Sequence, residues 1–167
     1  MRILITGPES TGKSSLGLAL SEATGIIYVP EIARSYIGGL EREYGPEDIE
    51  TIAKLNIQSV KELGQNSFIH DTYLLNLIIW MKVKFGTLPS WIELEWSKAN
   101  FDLVLLCYPD LEWEEDPLRE SPNSRMQLYQ LFEEGLSNIS MPIGIIKGMG
   151  SQRIQNAIDI INQVQKS

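Results

Sequence analysis

Residues 7–14 read Gly-Pro-Glu-Ser-Thr-Gly-Lys-Ser, the spacing G-x-x-x-x-G-K-[ST]. The two glycines let a backbone turn tightly enough for successive N–H groups to face one point. A lysine and a hydroxyl at the end of the turn add a cation and a metal ligand. The chemistry that needs this set is the binding of a polyphosphate with its Mg²⁺ ion. Lys13 is expected at the β- and γ-phosphates and Ser14 at the metal. Gly7, Glu9, Ser10, Thr11, Gly12, Lys13, Ser14 and Ser15 form the candidate nucleotide site. The pattern carries this meaning only between a strand and a helix. Residues 2–6 are an apolar run, and 13–24 place Leu16, Leu20 and Ala23 on one helical face, so the context is met. The guanine-reading Asn-Lys-x-Asp pattern does not occur in the sequence, which makes ATP the expected nucleotide.

Other candidate groups lie after later apolar runs. The run at 26–29 ends in Pro30-Glu31-Ile32-Ala33-Arg34. Glu31 is placed to act as a general base on an acceptor hydroxyl. Arg34, one helical turn on, could bind substrate or a phosphate oxygen; the competing reading is an exposed helix start where Arg34 pairs Glu31. Asp71 ends the run at 67–71, where a carboxylate can hold Mg²⁺ or hydrogen-bond a substrate, or cap the following helix. His70 is the only histidine and alternates to the opposite face of the strand, which argues against a catalytic role. In the charged loop at 110–123, Arg119 and the nearby Arg125 could bring two guanidiniums to a transferring phosphoryl group, and Trp113 could stack on a flat ring. The competing reading is a solvated charged loop. The Gly148 and Gly150 turn, followed by Arg153, is where an adenine would pass.

These groups need a scaffold. Short apolar runs at 2–6, 26–29, 67–71, 101–107 and 142–147 alternate with helical patterns at 13–24, 46–63, 73–85, 89–99 and 124–137. A last helix carries Ile154, Ile158 and Ile161. The alternation predicts an α/β fold with a five-stranded parallel sheet and helices on both faces. Ligands in such sheets bind beyond the carboxyl ends of the strands, where the candidate residues cluster. At 167 residues the expectation is one domain, 1–167, with a short lid at about 110–126.

The net charge of −8 disfavours nucleic acid and anionic membranes as partners. Residues 41–50 and 110–125 each carry a net charge of −4 and so account for the whole excess. The first block reads as a solvated helix start, and the second surrounds the candidate lid. There is one cysteine, Cys107, no secretory signal pattern, and no apolar run near the roughly 20 residues of a membrane span. A soluble cytoplasmic protein is expected.

GPESTGKSS, VPEIARSYI, the Asp71-Thr72 strand end, FDLVLLCYPDLEWEEDPLRE with Arg125, and the IKG…QR turn occur in this order. Together they resemble the nicotinamide riboside kinase family, best known as the C-terminal kinase domain of the bacterial bifunctional NAD-biosynthesis regulator. The resemblance implies a P-loop kinase fold and transfer of the ATP γ-phosphoryl to the 5′-hydroxyl of nicotinamide riboside, giving nicotinamide mononucleotide. It further implies that Lys13, Glu31, Asp71, Arg119 and Arg125 are catalytic and that Ser14 and Asp71 serve the metal. Glu31, Arg34, Asp71, Trp113 and Asp116 would face the nucleoside. The family shows Asp-Thr-Asp after the third strand, whereas here the third residue is Tyr73. A different nucleoside or nucleotide acceptor, or a nucleotide-binding regulatory module with little turnover, would use the same residues. A homo-oligomer is compatible with this reading. Lys13→Ala is expected to abolish transfer and weaken ATP binding, read by ADP release and by calorimetric titration with ATP.

Overall fold

The most apolar runs of the chain form the centre of a sheet. In the computed structural model, which describes residues 1–117, 119–120 and 122–166, Arg2–Thr6 (β1) and Leu103–Cys107 (β4) run parallel, with Thr6 opposite Leu106. Ile3, Leu4 and Ile5 are inaccessible to solvent, as a parallel strand covered on both faces must be. Phe68–Asp71 (β3) pairs on the other side of β1, with Ile5 opposite Asp71. Ile27–Val29 (β2) and Ile143–Ile146 (β5) form the edges, in the order β2-β3-β1-β4-β5. Leu118 and Ser121 of the segment read as a lid, and Ser167, lie outside the described residues.

The helices are Lys13–Thr24 (α1), Ile32–Gly38 (α2), Pro46–Leu63 (α3), Leu74–Trp80 (α4), Ser90–Ser97 (α5), Arg125–Leu136 (α6) and Gly150–Gln165 (α7). Strand alternation divides the core between the two faces. Ile3, Ile5, Ile69 and Leu105 pack with Leu16 and Leu20 of α1 and Ala157 and Ile161 of α7. Leu4, Phe68, Val104 and Leu106 pack with α3 to α6 through Ile52, Leu74, Ile92 and Phe132. The five-stranded parallel sheet with helices on both faces is therefore as the sequence predicts. Because all pairings are parallel, the carboxyl ends of the five strands finish on one edge, and the candidate loops follow from there.

Two local features differ from expectation. The pattern at 73–85 reads as one helix, but α4 gives way at Met81–Phe85 to a π-helical turn. An apolar pattern fixes which face is buried, not whether the backbone bonds skip four residues or five. The acidic block at 41–50 is also not all solvated. Asp48 is 1% exposed and receives both Arg42 guanidinium nitrogens at 2.7 and 2.8 Å. The Gly45 N–H donates to it at 2.8 Å and the Tyr36 hydroxyl at 3.1 Å. These bonds tie the start of α3 to α2, which carries Arg34 towards the sheet edge. Among the described residues no helix is long and apolar enough to cross a membrane.

The Arg42 guanidinium and the Gly45 amide hold the Asp48 carboxyl below the usual carboxylate range. Its contribution to stability is therefore present above that range and lost as pH falls through the lowered value. Asp48→Asn is expected to lower Tm by several degrees at pH 7. The gap to the parent protein should narrow as melts are repeated towards pH 3.

Candidate active site

The loop between β1 and α1 takes a shape that ordinary residues resist. Gly7 has φ 134° and sits against β4, where a Cβ would lie 2.7 Å from the Cys107 carbonyl oxygen. Gly12 has φ 68°, the left-handed region that favours glycine. Ser10 is also left-handed, at φ 52°, a conformation that costs a residue with a Cβ. Several hydrogen bonds support it. The Glu114 N–H donates to Ser10 Oγ at 2.9 Å, and Arg125 Nη1 donates to the Ser10 carbonyl at 3.0 Å. Thr11 Oγ1 and Lys13 Nζ both donate to the Pro8 carbonyl, at 2.8 and 2.6 Å. The lysine thus rests on its own loop, at the start of the helix that would receive a phosphate.

Beyond the loop opens a cavity of about 510 Å³, within the range of small-molecule sites. All eight proposed phosphate-loop residues line it, as do Glu31, Arg34, Arg119 and Arg153. Burial raises the Glu31 pKa, the Lys13 ammonium pulls it down, and Asp71 and Glu9 push it up again. A carboxylate with a raised pKa, in the same cavity as the lysine, suits a general base. Arg34, at the cavity wall, pairs with Asp116 of the 110–126 segment at 2.8 Å rather than with Glu31.

Asp71 lies beneath the cavity floor rather than in its lining. Its Oδ2 accepts from Ser14 Oγ at 2.6 Å and from the Tyr28 hydroxyl at 2.9 Å. Its Oδ1 is buried without a hydrogen-bond partner among the described residues. Asp71 does not cap α4, whose first turn receives no side-chain bond. Among the described residues no cluster of three or more His, Cys, Asp or Glu could hold a metal. The Ser14–Asp71 pair, with an unpartnered carboxylate oxygen, nonetheless fits Mg²⁺, which takes few protein ligands and completes its shell with phosphate and water. His70 faces the opposite side, against Phe68 and Tyr73, and its Nδ1 lies 2.6 Å from the Thr72 carbonyl. Burial pushes its pKa down, so this short contact is an N–H of a neutral ring.

The segment at 110–126, read from sequence as a lid, is bonded to the phosphate loop. The Glu120 N–H donates to Glu9 Oε2 at 3.0 Å, and the Glu120 carboxylate takes Lys84 at 2.5 Å and the Tyr44 hydroxyl at 2.7 Å. Three lid-side expectations come out differently in position. Arg125 does not line the cavity; it donates to the Ser10 and Leu111 carbonyls and lies over the Trp113 ring, 5.9 Å from its centroid. Trp113 and Asp116 also lie outside the lining. Arg153, expected to bind nucleotide, lines the cavity, but its guanidinium donates to Asp110, Gly148, Thr11 and Tyr108. Arg119 does line the cavity, with Nη1 on the Glu114 carbonyl at 2.5 Å.

Sequence reasoning missed Asn76, Trp80, Lys84 and Glu120, which also line the cavity. Asn76 accepts from Thr6 Oγ1 at 2.7 Å and donates to the Gly7 carbonyl at 3.2 Å. As the one strongly polar residue in the apolar run 73–81, it was visible as an exception. Lys84 comes from the π-helical turn and carried no such signal. Tyr73, where the resembled family has Asp, is buried among His70, Trp96 and Phe101, and burial pushes its hydroxyl up to about 12.

A raised carboxylate pKa means that Glu31 favours folding below the ordinary carboxylate range, an effect lost as pH rises through the raised value. Above it the buried charge opposes folding. Ligand-free Glu31→Gln is therefore expected to melt a few degrees higher than the parent at pH 8. The difference should shrink as pH is lowered towards 5 in a thermal-shift series.

A family model described as "AAA domain" matches residues 2–153. No curated protein matches the chain. Among solved structures, NadR in complex with NR superposes with a TM-score of 0.85 at 19% identity, over 99% of this chain and 52% of that one. NadR in complex with NAD and AMP-PNP superposes at 0.79, also at 19% identity, over 98% and 49%. A deoxyadenosine kinase from M. mycoides with dCMP and dCDP bound superposes at 0.69 and 14% identity, over 98% and 100%. The chain spans about half the length of the NadR chains it matches.

Proposed function

The chain belongs to the AAA domain family, matched over residues 2–153, and from that premise we propose that it is an ATP-dependent kinase of nucleosides, with nicotinamide riboside as acceptor. One observation carries the reading: a half-buried carboxylate with a raised pKa, Glu31, lines the same cavity as Lys13 and the phosphate loop. A kinase must take a proton from its acceptor hydroxyl, and Glu31 lines the cavity where that group is needed. The fold is shared with NadR and with a deoxyadenosine kinase.

In this reading the phosphate-loop N–H groups and Lys13 hold the β- and γ-phosphates, the lysine exchanging the Pro8 carbonyl for phosphate oxygen. Ser14 and Asp71 would hold Mg²⁺, which would neutralise phosphate charge when bound. Glu31 accepts the proton of the 5′-hydroxyl as that oxygen forms its bond to the γ-phosphorus and the bond to the ADP oxygen breaks. Arg119 moves from the Glu114 carbonyl to the transferring group, where its charge is best matched as negative charge spreads. The acceptor end has Glu31, Glu120 and the Trp80 ring, groups that suit a cationic pyridinium.

A second reading, phosphorylation of a different nucleoside, is favoured by one observation. Tyr73 is turned into the core, so no carboxylate at that position reaches the cavity. A panel of nicotinamide riboside, deoxyadenosine, deoxycytidine and thymidine with ATP and Mg²⁺ separates the two, with products read by mass spectrometry. The mononucleotide of nicotinamide is the expected product; product from the other nucleosides alone would favour the second reading, and product from none would overturn both. Glu31→Gln is expected to lower kcat by roughly 10²–10⁴ with ATP affinity intact.

A further inference from the structure

We propose that Tyr28 is a positioning residue of the metal–nucleotide site: its hydroxyl fixes the Asp71 carboxylate so that one oxygen is left for the metal shell. The proposal rests on the reading of Ser14 and Asp71 as the residues that serve Mg²⁺.

Asp71 is wholly buried, so its carboxylate has no water with which to satisfy its oxygens. Two hydroxyls, from different elements, converge on the same oxygen, Oδ2. Ser14 reaches it from the first turn of α1 at 2.6 Å, and Tyr28 from edge strand β2 at 2.9 Å. Oδ1 remains buried and unpartnered among the described residues. With both donors on Oδ2 the two oxygens are not equivalent, and rotation of the carboxylate would break both bonds. The backbone beneath is held separately. The Thr72 N–H donates to the Ile5 carbonyl at 2.9 Å, while Thr72 itself is left-handed at φ 65°. The Thr72 carbonyl accepts from His70 Nδ1 at 2.6 Å.

The Tyr28 ring reaches Asp71 only because α1 makes room for it. Gly17 faces the ring edge, and a Cβ there would be driven into Tyr28 Cε2 and Cδ2. A tyrosine placed merely to fill this layer would not need its hydroxyl aimed at a buried carboxylate. Removing an outer partner of a metal-serving group typically costs roughly 10–100-fold in metal affinity, and this is the effect assigned to Tyr28.

The test uses Tyr28→Phe, which keeps the ring and loses the hydroxyl, with Tyr28→Leu as a second hydroxyl-free variant. Two quantities are measured for parent and variants: ADP affinity in EDTA by calorimetry, and Mn²⁺ affinity in the presence of ADP by electron paramagnetic resonance. Circular dichroism melts show which variants are folded. The expected result for a folded variant is a Mn²⁺ affinity lower by roughly 10–100-fold, with metal-free ADP affinity within about 2-fold of the parent. A structural role alone would weaken both affinities together, and that outcome overturns the proposal. So does Mn²⁺ affinity equal to that of the parent, or failure of both variants to fold, which makes Tyr28 a stability residue. If the parent itself shows no Mn²⁺ binding with ADP, the metal-site reading fails first and takes this proposal with it.

Discussion

A guanidinium taken almost entirely out of water joins the loops on which the cavity stands. Arg153, 4% exposed, donates to the Thr11 carbonyl of the phosphate loop, the Tyr108 carbonyl after β4 and the Gly148 carbonyl after β5. Its charge is balanced by Asp110 at 2.9 Å, which also accepts the Gly148 N–H at 2.7 Å. A buried cation in this position is tolerable because its terminal nitrogens are hydrogen-bonded and its charge is paired. The arrangement depends on parallel pairing. Parallel register brings the ends of β1, β4 and β5 to one edge, and one side chain from the start of α7 can then reach all three loops.

The cavity has little long-range attraction for an anion in a chain of net charge −8. Its cations are local and already engaged. Lys13 rests on the Pro8 carbonyl, Arg119 on the Glu114 carbonyl, Arg34 on Asp116 and Lys84 on Glu120. A polyphosphate entering here would exchange partners rather than find bare charge. The bonds given up by the lid arginine and lysines lie near the surface, where each contributes little. Such an exchange would cost little free energy, and it would release the 110–126 segment from the side chains that now hold it.

The parts of this molecule that could be read from sequence are those set by near neighbours. The phosphate loop has all its spacing within eight residues, and the strands follow from runs of apolar residues that β1, β3 and β4 bury on both faces. Residues that meet across the sheet edge were not legible in the same way. Nothing near Tyr28 in sequence points to Asp71, and nothing near Lys84 points to Glu120; both pairings are products of the fold. The π-helical turn that presents Lys84 obeys the same apolar pattern as an α-helix. Composition showed neither that Asp48, which looked like a solvent-facing acid of a helix start, is buried nor that Arg125 and Arg153 are already engaged within the chain. Each is held by three or more partners that no local pattern specifies.

The contact between Gly17 and Tyr28 sets a rule for how this sequence can vary. A helix position and an edge-strand position meet closely, and the helix position cannot enlarge while the strand's ring keeps its place. Genetic drift at the two sites is therefore coupled. A larger residue on the helix becomes acceptable after the ring has been lost, and regaining the ring then requires the helix change to be reversed first. Ancestral order, not only present fit, decides which descendants of this chain can keep an aromatic hydroxyl beneath the cleft.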